Sequence, residues 1–355
     1  MKLKKIITLF SATAIALTLA ACAGGQKAEK KEAEKDAPAD RSETLVIYSN
    51  SVSDGRGEWL TQKAKKEGFN IEMVEVGGAE LADRVIAEKN NGVADMIFGI
   101  GAIDSNKIRD ERLLLKFKPE WRDKIDQSLA DKDGYYNPVI IQPLVLIGRQ
   151  DAKKMPSDWT QLGSQFAGKY SINGLQSGTS RAILASILVR YLDKNGELGV
   201  SDKGWKVAKD YIQNAYILKE GESSVVKMLD DKDPITYGMM WGSGALVNQK
   251  TFNTKFQVMS PKIGVPFVTE QTMILSSSKR QALAKEFINW FGTADVQSEY
   301  AKQFGSIPAN KDAVKELPEE TQEFLNSVHQ QDIDWEVVGE NLDLWVEKVE
   351  LEFVK

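Results

Sequence analysis

Cysteine and histidine are almost absent from this 355-residue sequence, which contains one cysteine, Cys22, and one histidine, His329. One cysteine cannot form an internal disulfide or a cysteine-based zinc site. One histidine leaves Ser-His-Asp triads, Cys-His pairs and poly-histidine metal sites without the residues that they need. A basic excess is also missing, because 46 lysines and arginines face 51 aspartates and glutamates, a formal net charge of −5. We therefore expect no nucleic-acid partner.

What is present is ordinary globular composition, with 42% hydrophobic and 8% aromatic residues. Collagen-like, disordered and polytopic membrane chains have very different compositions. The length suits one large α/β domain or two lobes of roughly 150 residues each.

Residues 1–21 have the pattern of a secretory signal peptide. Three lysines among the first five residues precede an apolar stretch, Ile6 to Leu19, that only threonines and one serine interrupt. This stretch is shorter than the about 20 apolar residues of a membrane-spanning helix. The segment Leu19-Ala-Ala-Cys22 resembles a bacterial lipobox, whose cysteine becomes the lipid-modified N-terminus. We expect lipidation of Cys22; the alternative is an ordinary signal with an accidental cysteine.

Residues 22–43 are predicted to form a disordered tether behind that anchor. From Ala23 to Glu43 the sequence has no aromatic or large aliphatic residue and is rich in lysine, glutamate and alanine. Such a segment cannot bury enough apolar surface to offset the entropy lost on ordering.

The body of the chain begins with alternating strand and helix patterns. Short apolar runs predict strands, and apolar residues at helical spacing predict the helices between them. In chain order these are a strand at 45–48, a helix at 57–67, a strand at 70–76, a helix at 79–90 and a strand at 94–98. This order predicts an α/β fold with a mostly parallel sheet.

The extended stretch Asn137–Ile147 is predicted to link this region to a second α/β half. Pro143 interrupts it and cannot donate to a sheet ladder, so we predict two strand pieces with a crossing point between them. In the second half we predict strands at 170–172, 235–241 and 273–276 and helices at 181–194, 203–214 and 280–291.

Several short segments in this order resemble the extracellular solute-binding proteins of ABC importers, in the group with ferric-ion, thiamine, phosphonate and sugar-phosphate receptors. They are Leu45–Ser49, Ala87–Gly99, Asp158–Leu162, Ser177–Thr179, Ala284–Phe291, Ala294–Gln297 and Ile307–Asn310. The resemblance implies a two-lobed, type II periplasmic-binding-protein-like clamp, in which crossover strands form the hinge. It implies a first lobe of 44–145 plus part of 250–310, a second lobe of 146–250, and C-terminal helices in 311–355.

The function that the resemblance implies is capture of a small solute between the lobes and delivery to a permease with its ATPase. We expect a monomer outside the cytoplasm, held to a bacterial membrane through Cys22, with no cofactor, no bound metal and no catalytic residue.

The ligand-binding residues are predicted at the ends of strands, where loops and helix starts converge. The segment Ser177, Gly178, Thr179, Ser180 precedes a helix, so its hydroxyls and free amides are suited to an anion. Simple N-capping is the alternative. The other candidates are Ser49, Asn50, Gly101, Ala102, Trp241, Gly242, Ser243 and Glu270. For Ser49, Asn50, Gly101 and Ala102 the alternative is a role in an ordinary turn, and for Trp241 it is core packing. For Glu270 the alternative is an acid exposed in a loop.

A phosphonate, phosphate ester or similar oxyanion is the predicted solute, because of the helix start at Ser177–Ser180. Thiamine stacked on Trp241 and iron are the alternatives. The resemblance implies adjacent tyrosines in the second lobe of ferric receptors, whereas Tyr237-Gly-Met-Met-Trp241 has no such pair; Tyr135 and Tyr136 are adjacent but precede the crossover strand. This argues against free ferric ion but not against chelated iron.

Two functions of other classes also fit the composition. A secreted hydrolase with a carboxylate pair needs neither histidine nor cysteine and predicts turnover of glycosides. An adhesin presented on the tether predicts no stabilisation by any small molecule.

Overall fold

The computed structural model describes residues 39–53 and 55–354. The predicted signal peptide, Cys22 and most of the tether lie outside these residues. The strands are β1 (Thr44–Ser49), β2 (Asn70–Glu75), β3 (Met96–Phe98), β4 (Leu114–Leu115), β5 (Asn137–Gly148), β6 (Tyr170–Ile172), β7 (Tyr216–Ile217), β8 (Tyr237–Trp241), β9 (Gln257–Val258), β10 (Phe267–Leu275) and β11 (Ile307–Pro308).

The helices pack against this sheet and differ from the predicted ones mainly in number. They are α1 (Arg56–Lys66), α2 (Gly78–Ala87), α3 (Ala102–Asp110), α4 (Leu162–Gln165), α5 (Gly178–Leu188), α6 (Asp202–Gln213), α7 (Ser224–Leu229), α8 (Gly242–Thr251), α9 (Gln281–Phe291), α10 (Ala294–Phe304), α11 (Lys311–Lys315), α12 (Glu319–Ser327) and α13 (Trp335–Glu352). Among the described residues, none of these helices has the length and apolar character needed to cross a membrane.

The strands form one sheet of order β2-β1-β3-β10-β5-β8-β6-β7, with β4 on β10 and both β9 and β11 on β5. Its two outer parts are parallel, as predicted: β1 pairs with β2 and β3, and β6 pairs with β7 and β8. Every antiparallel pair among these strands includes β5 or β10. These two strands therefore join two parallel halves.

The crossing point falls at Pro143, as the sequence predicts. Strand β5 pairs with β10 as far as Pro143 and with β8 from Leu144 onward. Pro143 has no amide hydrogen, so it suits the position where the ladder changes partner. One correction is needed: the strand continues through Pro143 as a single element of 12 residues.

Each half of the sheet has a core on both faces, because side chains alternate along a strand. In the first half, Leu45 and Ile47 of β1 belong to one buried cluster and Tyr48 to another. In the second half, Leu144 and Leu146 of β5 belong to one cluster, and Val145 and Ile147 to the other.

Helix α13 completes the core of the second half. Asp334 caps it by accepting hydrogen bonds from the amides of Glu336 (3.0 Å) and Val337 (3.2 Å). Val338, Leu342, Trp345 and Val349 recur at helical spacing and are buried in the same cluster as β6 and α5. The last helix is therefore part of the body of the fold.

Candidate functional site

A cleft of about 1970 Å³ opens between the two halves of the sheet. Residues at or just after the carboxyl ends of β1, β3, β6 and β8 line it, among them Asn50, Gly99, Ser177 and Trp241. Loops after parallel strands meet at one edge of a sheet, which is where ligands bind in open α/β folds. The cleft thus lies where the sequence predicts the loops to converge.

The start of α5 forms one wall of the cleft. Ser177 is its N-cap, with extended backbone (φ −81°, ψ 127°), and its hydroxyl caps no amide. Within the described chain, no acceptor is hydrogen-bonded to the amides of Gly178, Thr179 or Ser180, which are the first three of the helix. Ser177, Gly178 and Thr179 all line the cleft. Two open amides, those of Gly178 and Thr179, therefore belong to residues that line the cleft, at a helix start of the kind that binds anions.

The small residues of this segment keep the α5 amides accessible. A Cβ added at Gly178 would meet nothing within 4 Å, so this position faces open space. Ser180 is turned inward, and its hydroxyl donates to the carbonyl of Asn173 (2.7 Å) in the preceding loop. The loop is thereby tied to the helix that it precedes.

The start of α3 forms a facing wall. Gly101 is its N-cap, and Ala102 and Asp104 line the cleft. Burial raises the pKa of Asp104, and the nearby Lys107 ammonium, 3.6 Å away, partly opposes this. The first turn of α3 thus already contains a negative charge.

The floor of the cleft is polar. Glu270, in β10, accepts a hydrogen bond from the Ser51 hydroxyl, and Gln142, in β5, accepts one from the Ser243 hydroxyl (3.0 Å). Burial raises the pKa of Glu270, while hydrogen bonds from Ser51 and Gln142 and the attraction of Arg56 oppose the shift. Gln142 and Glu270 both line the cleft.

Strain at one glycine shapes the floor beside Asn50. Gly99 has φ +115°, a backbone conformation that side-chain-bearing residues rarely adopt. A Cβ there would collide with the Asn50 side chain and crowd Ser51. Glycine therefore lets the loop after β1 approach the loop after β3.

Trp241 lies on the apolar side of the cleft and is 49% exposed. Ile263, Phe267 and Val268 also line the cleft. An aromatic ring of that exposure is available for stacking against a solute.

Acidic residues outnumber basic ones along the cleft, nine to five. Several of these charges are paired: Arg109 lies 3.6 Å from Asp131 and 3.3 Å from Glu336, and Arg181 pairs with Asp343. The cleft as a whole does not attract anions, so any anion affinity must come from local groups such as the α5 amides.

The described residues do not offer a ferric centre of tyrosinates. Tyr136 lines the cleft, but its hydroxyl donates to Asn106 (2.8 Å) and burial raises its pKa to about 12. Tyr237 is buried and hydrogen-bonded to the carbonyl of Lys154. In residues 39–53 and 55–354 no three histidine, cysteine or acidic side chains are grouped to hold a metal ion.

Eight of the twelve ligand-binding residues predicted from sequence line the cleft: Asn50, Gly101, Ala102, Ser177, Gly178, Thr179, Trp241 and Glu270. The other four do not. Ser49 is buried at the end of β1, Ser180 is turned to Asn173, and Gly242 is packed against Phe324 and Pro143. Ser243 reaches the cleft indirectly, through Gln142.

Sequence reasoning missed Gln142, Asp104 and the contribution of α13. Gln142 is the polar residue before Pro143 in an apolar strand, and this could have marked it. Helix α13 lines the cleft through Glu336, Gly339, Leu342 and Asp343, whereas the resemblance implied only C-terminal helices in 311–355. No local signal shows that it packs there.

Comparisons with known proteins agree with this geometry. A family described as bacterial extracellular solute-binding protein matches residues 58–325. The probable ABC transporter periplasmic-binding protein y4fP of Sinorhizobium fredii is 32% identical over 315 residues, which cover 88% of this chain and 87% of that protein.

Two solved structures show the same fold at low identity. Apo ferric ion-binding protein A of Pasteurella haemolytica has a TM-score of 0.71 and 17% identity, covering 88% of this chain and 98% of that one. The periplasmic binding protein AfuA of Actinobacillus pleuropneumoniae, with fructose-6-phosphate bound, has a TM-score of 0.65 and 18% identity, covering 87% and 98%. The predicted fold class, an α/β type II periplasmic-binding-protein-like fold, is confirmed.

Proposed function

Since the chain belongs to the bacterial extracellular solute-binding protein family, we propose that it is the receptor of an ABC importer for a small oxyanion, namely a phosphate monoester or a phosphonate. The role of solute-binding component follows from the family and implies a small-molecule solute and a permease partner. This is a role in transport, so the family favours it over the two alternatives from the sequence, a secreted hydrolase and an adhesin.

One observation carries the choice of an oxyanion: at the start of α5, the cleft-lining residues Gly178 and Thr179 have amides without a partner in the described chain, and the Ser177 hydroxyl beside them caps no amide. A helix N-terminus has a partial charge of about +0.5, and its amides can surround an anion without further charged groups. The Thr179 hydroxyl at the same wall adds a donor. The bound sugar phosphate of AfuA supports this choice by analogy.

The alternatives have weaker support. Iron is favoured by the ferric ion-binding protein of Pasteurella haemolytica, yet the one tyrosine that we find along the described cleft is bonded to Asn106. A cation such as thiamine is favoured by the exposed Trp241 and by the excess of acids in the cleft. Thiamine therefore remains the second candidate.

The mechanism that we propose is closure of the two halves on the solute. A solute that contacts both walls binds the closed form more tightly and shifts the population toward it. The permease can then distinguish loaded from empty receptor. We also propose that the protein acts as a monomer.

The test is a thermal-shift series confirmed by calorimetry, with phosphate monoesters, a phosphonate, ferric citrate and thiamine. A solute at 100 times its Kd stabilises the folded protein by about 2.7 kcal/mol. We expect this for at least one phosphorylated compound. If thiamine or ferric citrate alone stabilises the protein, the oxyanion proposal is wrong.

Anchoring through Cys22 is a separate proposal, based on the sequence alone. Metabolic labelling with a fatty acid should mark the wild-type protein and leave Cys22→Ser unlabelled and released from the membrane. Label on the Cys22→Ser protein would contradict the assignment.

A further inference from the structure

We infer that Glu270 forms a second subsite on the cleft floor that accepts hydrogen bonds from hydroxyl groups of the solute. This inference rests on the proposed function, because it concerns the part of the solute that is not the anion. It names Glu270 as a residue that determines specificity.

The position of Glu270 supports this role. It lies in β10, one of the two strands that join the halves, and it lines the cleft. Ser51, which follows β1, donates to one carboxylate oxygen, and the amide of Gln142, in β5, helps to lower the pKa of the carboxyl group. Gln142 is in turn bonded to Ser243 at the start of α8. The carboxylate is thus held in place from both halves of the molecule.

The hydrogen-bonding capacity of Glu270 is larger than the protein uses. An ionised carboxylate has two oxygens with about four acceptor positions and no donor. The Ser51 hydroxyl accounts for one of these positions. The remaining positions are on a side chain that borders the cleft, so a solute with hydroxyl donors can fill them. A solute without hydroxyls leaves them unsatisfied once closure expels water, which is unfavourable.

The local charge favours a neutral donor over a cation. Burial raises the pKa of Glu270, and the hydrogen bond from Ser51 and the attraction of Arg56, at the start of α1, oppose this shift without cancelling it. The negative charge of Glu270 is therefore partly balanced within the protein. A hydroxyl forms hydrogen bonds to Glu270 without adding a second positive charge beside Arg56.

The experiment compares two phosphate esters that share the phosphate charge and a six-membered ring but differ in hydroxyl groups: glucose 6-phosphate and cyclohexylmethyl phosphate. Calorimetry would measure both with wild type, Glu270→Gln and the control Glu336→Gln, which changes a cleft acid that is exposed and paired with Arg109. We expect wild type to bind glucose 6-phosphate at least about tenfold more tightly. Glu270→Gln should reduce this ratio about tenfold, and Glu336→Gln should leave it unchanged.

Each outcome decides the inference. If Glu270→Gln weakens both esters equally, or if the ratio is the same in wild type and variant, Glu270 is not a hydroxyl subsite, while the proposed function stands. If neither ester binds wild type although another phosphorylated compound stabilises it, the hydroxyl subsite is wrong and the proposed function stands; if no phosphorylated compound binds, both fail. Circular dichroism melting of Glu270→Gln checks folding, and we expect its midpoint to be close to that of wild type, because glutamine has nearly the same size and its amide oxygen can still accept from Ser51.

Discussion

Helices α3 and α5 begin on facing walls of the same cleft, but their first turns differ in charge. Helix α3 starts after Gly101 and carries Asp104 in its first turn, whereas α5 starts after Ser177 and carries no acid there. Both present backbone amides to the cleft, and both have the same helix dipole. The difference lies in the side chains alone.

This difference teaches where anion affinity comes from. The Asp104 carboxylate supplies negative charge that offsets the partial positive charge of α3, and burial raises its pKa because the charge is poorly solvated. The first turn of α5 carries no acid of its own, although Asp343 of α13 is paired with Arg181 beside it. A helix N-terminus binds an anion more readily when its own side chains leave its partial positive charge uncompensated, so we expect the α5 wall to bind the solute anion in preference to the α3 wall.

The largest expected effect comes from giving α5 the acid that α3 has. Gly178 has open space where a Cβ would be, so Gly178→Asp and Gly178→Asn should both fold. The Asp variant should lose phosphate-ester affinity by about 100-fold or more, because a fixed carboxylate occupies and repels at the anion site. The Asn variant should lose less than about tenfold. Calorimetry measures both.

The variants Gly178→Asp and Gly178→Asn should also differ in melting temperature. An acid in the first turn of a helix stabilises it by about 0.3–1 kcal/mol, so Gly178→Asp should melt no lower than Gly178→Asn. Equal affinities of the two variants would mean that no anion is bound at this helix start.

A smaller loss is expected from the Thr179 hydroxyl. Thr179→Val keeps the shape of the side chain and removes the donor that borders the cleft. We expect about five- to tenfold weaker binding of phosphate esters, or about 1 kcal/mol, from the loss of one hydrogen bond. Ser180→Ala is the control, because that hydroxyl is bonded to Asn173. Calorimetry should show that Ser180→Ala has a lower melting point but nearly the same affinity for phosphate esters as wild type. If Ser180→Ala weakens binding more than Thr179→Val does, the solute does not bind at the Thr179 hydroxyl.

The same contrast shows how far sequence reasoning reaches. The strands and their end loops could be predicted, because apolar runs such as Leu45–Tyr48 and Ala94–Phe98 are local signals. Helix α3 could not: its sequence, Ala-Ile-Asp-Ser-Asn-Lys-Ile-Arg-Asp, is rich in residues that disfavour helix interiors. It forms because Ile108 is buried against the core of the first half. The start of α8 could not be predicted either, because its first residues, Gly242-Ser-Gly244, include two glycines, which disfavour helix interiors.

The candidate site was predictable where it depends on strand ends and not where it depends on long-range packing. Ser177–Thr179 are recognisable as a helix start from their own sequence. Gln142 and α13 reach the cleft through contacts that join distant segments, such as Arg109 with Glu336. Single-sequence patterns carry no information on such pairs.

Removing the acid from the first turn of α3 should make the charge at the start of α3 more similar to that at the start of α5. Asp104→Asn leaves the α3 amides without a neighbouring carboxylate, so we expect phosphate-ester affinity to rise about threefold at low salt. The gain should shrink at high ionic strength, because it is electrostatic. Calorimetry at two salt concentrations checks this. A loss of affinity would show that Asp104 contacts the solute directly.

The smallest expected change in affinity comes from the arginines of α5 and α3 that form ion pairs with acids of α13. Arg181, in the first turns of α5, is paired with Asp343, while Arg109, at the end of α3, is paired with Glu336 and also lies near Asp131. Asp343→Asn should free the Arg181 guanidinium and strengthen oxyanion binding about twofold. Glu336→Gln should have no effect on that binding, because Arg109 keeps Asp131 and lies at the opposite end of its helix from the cleft-facing amides. An equal gain from both variants would mean that the general charge of the cleft, and not the start of α5, determines affinity for the anion.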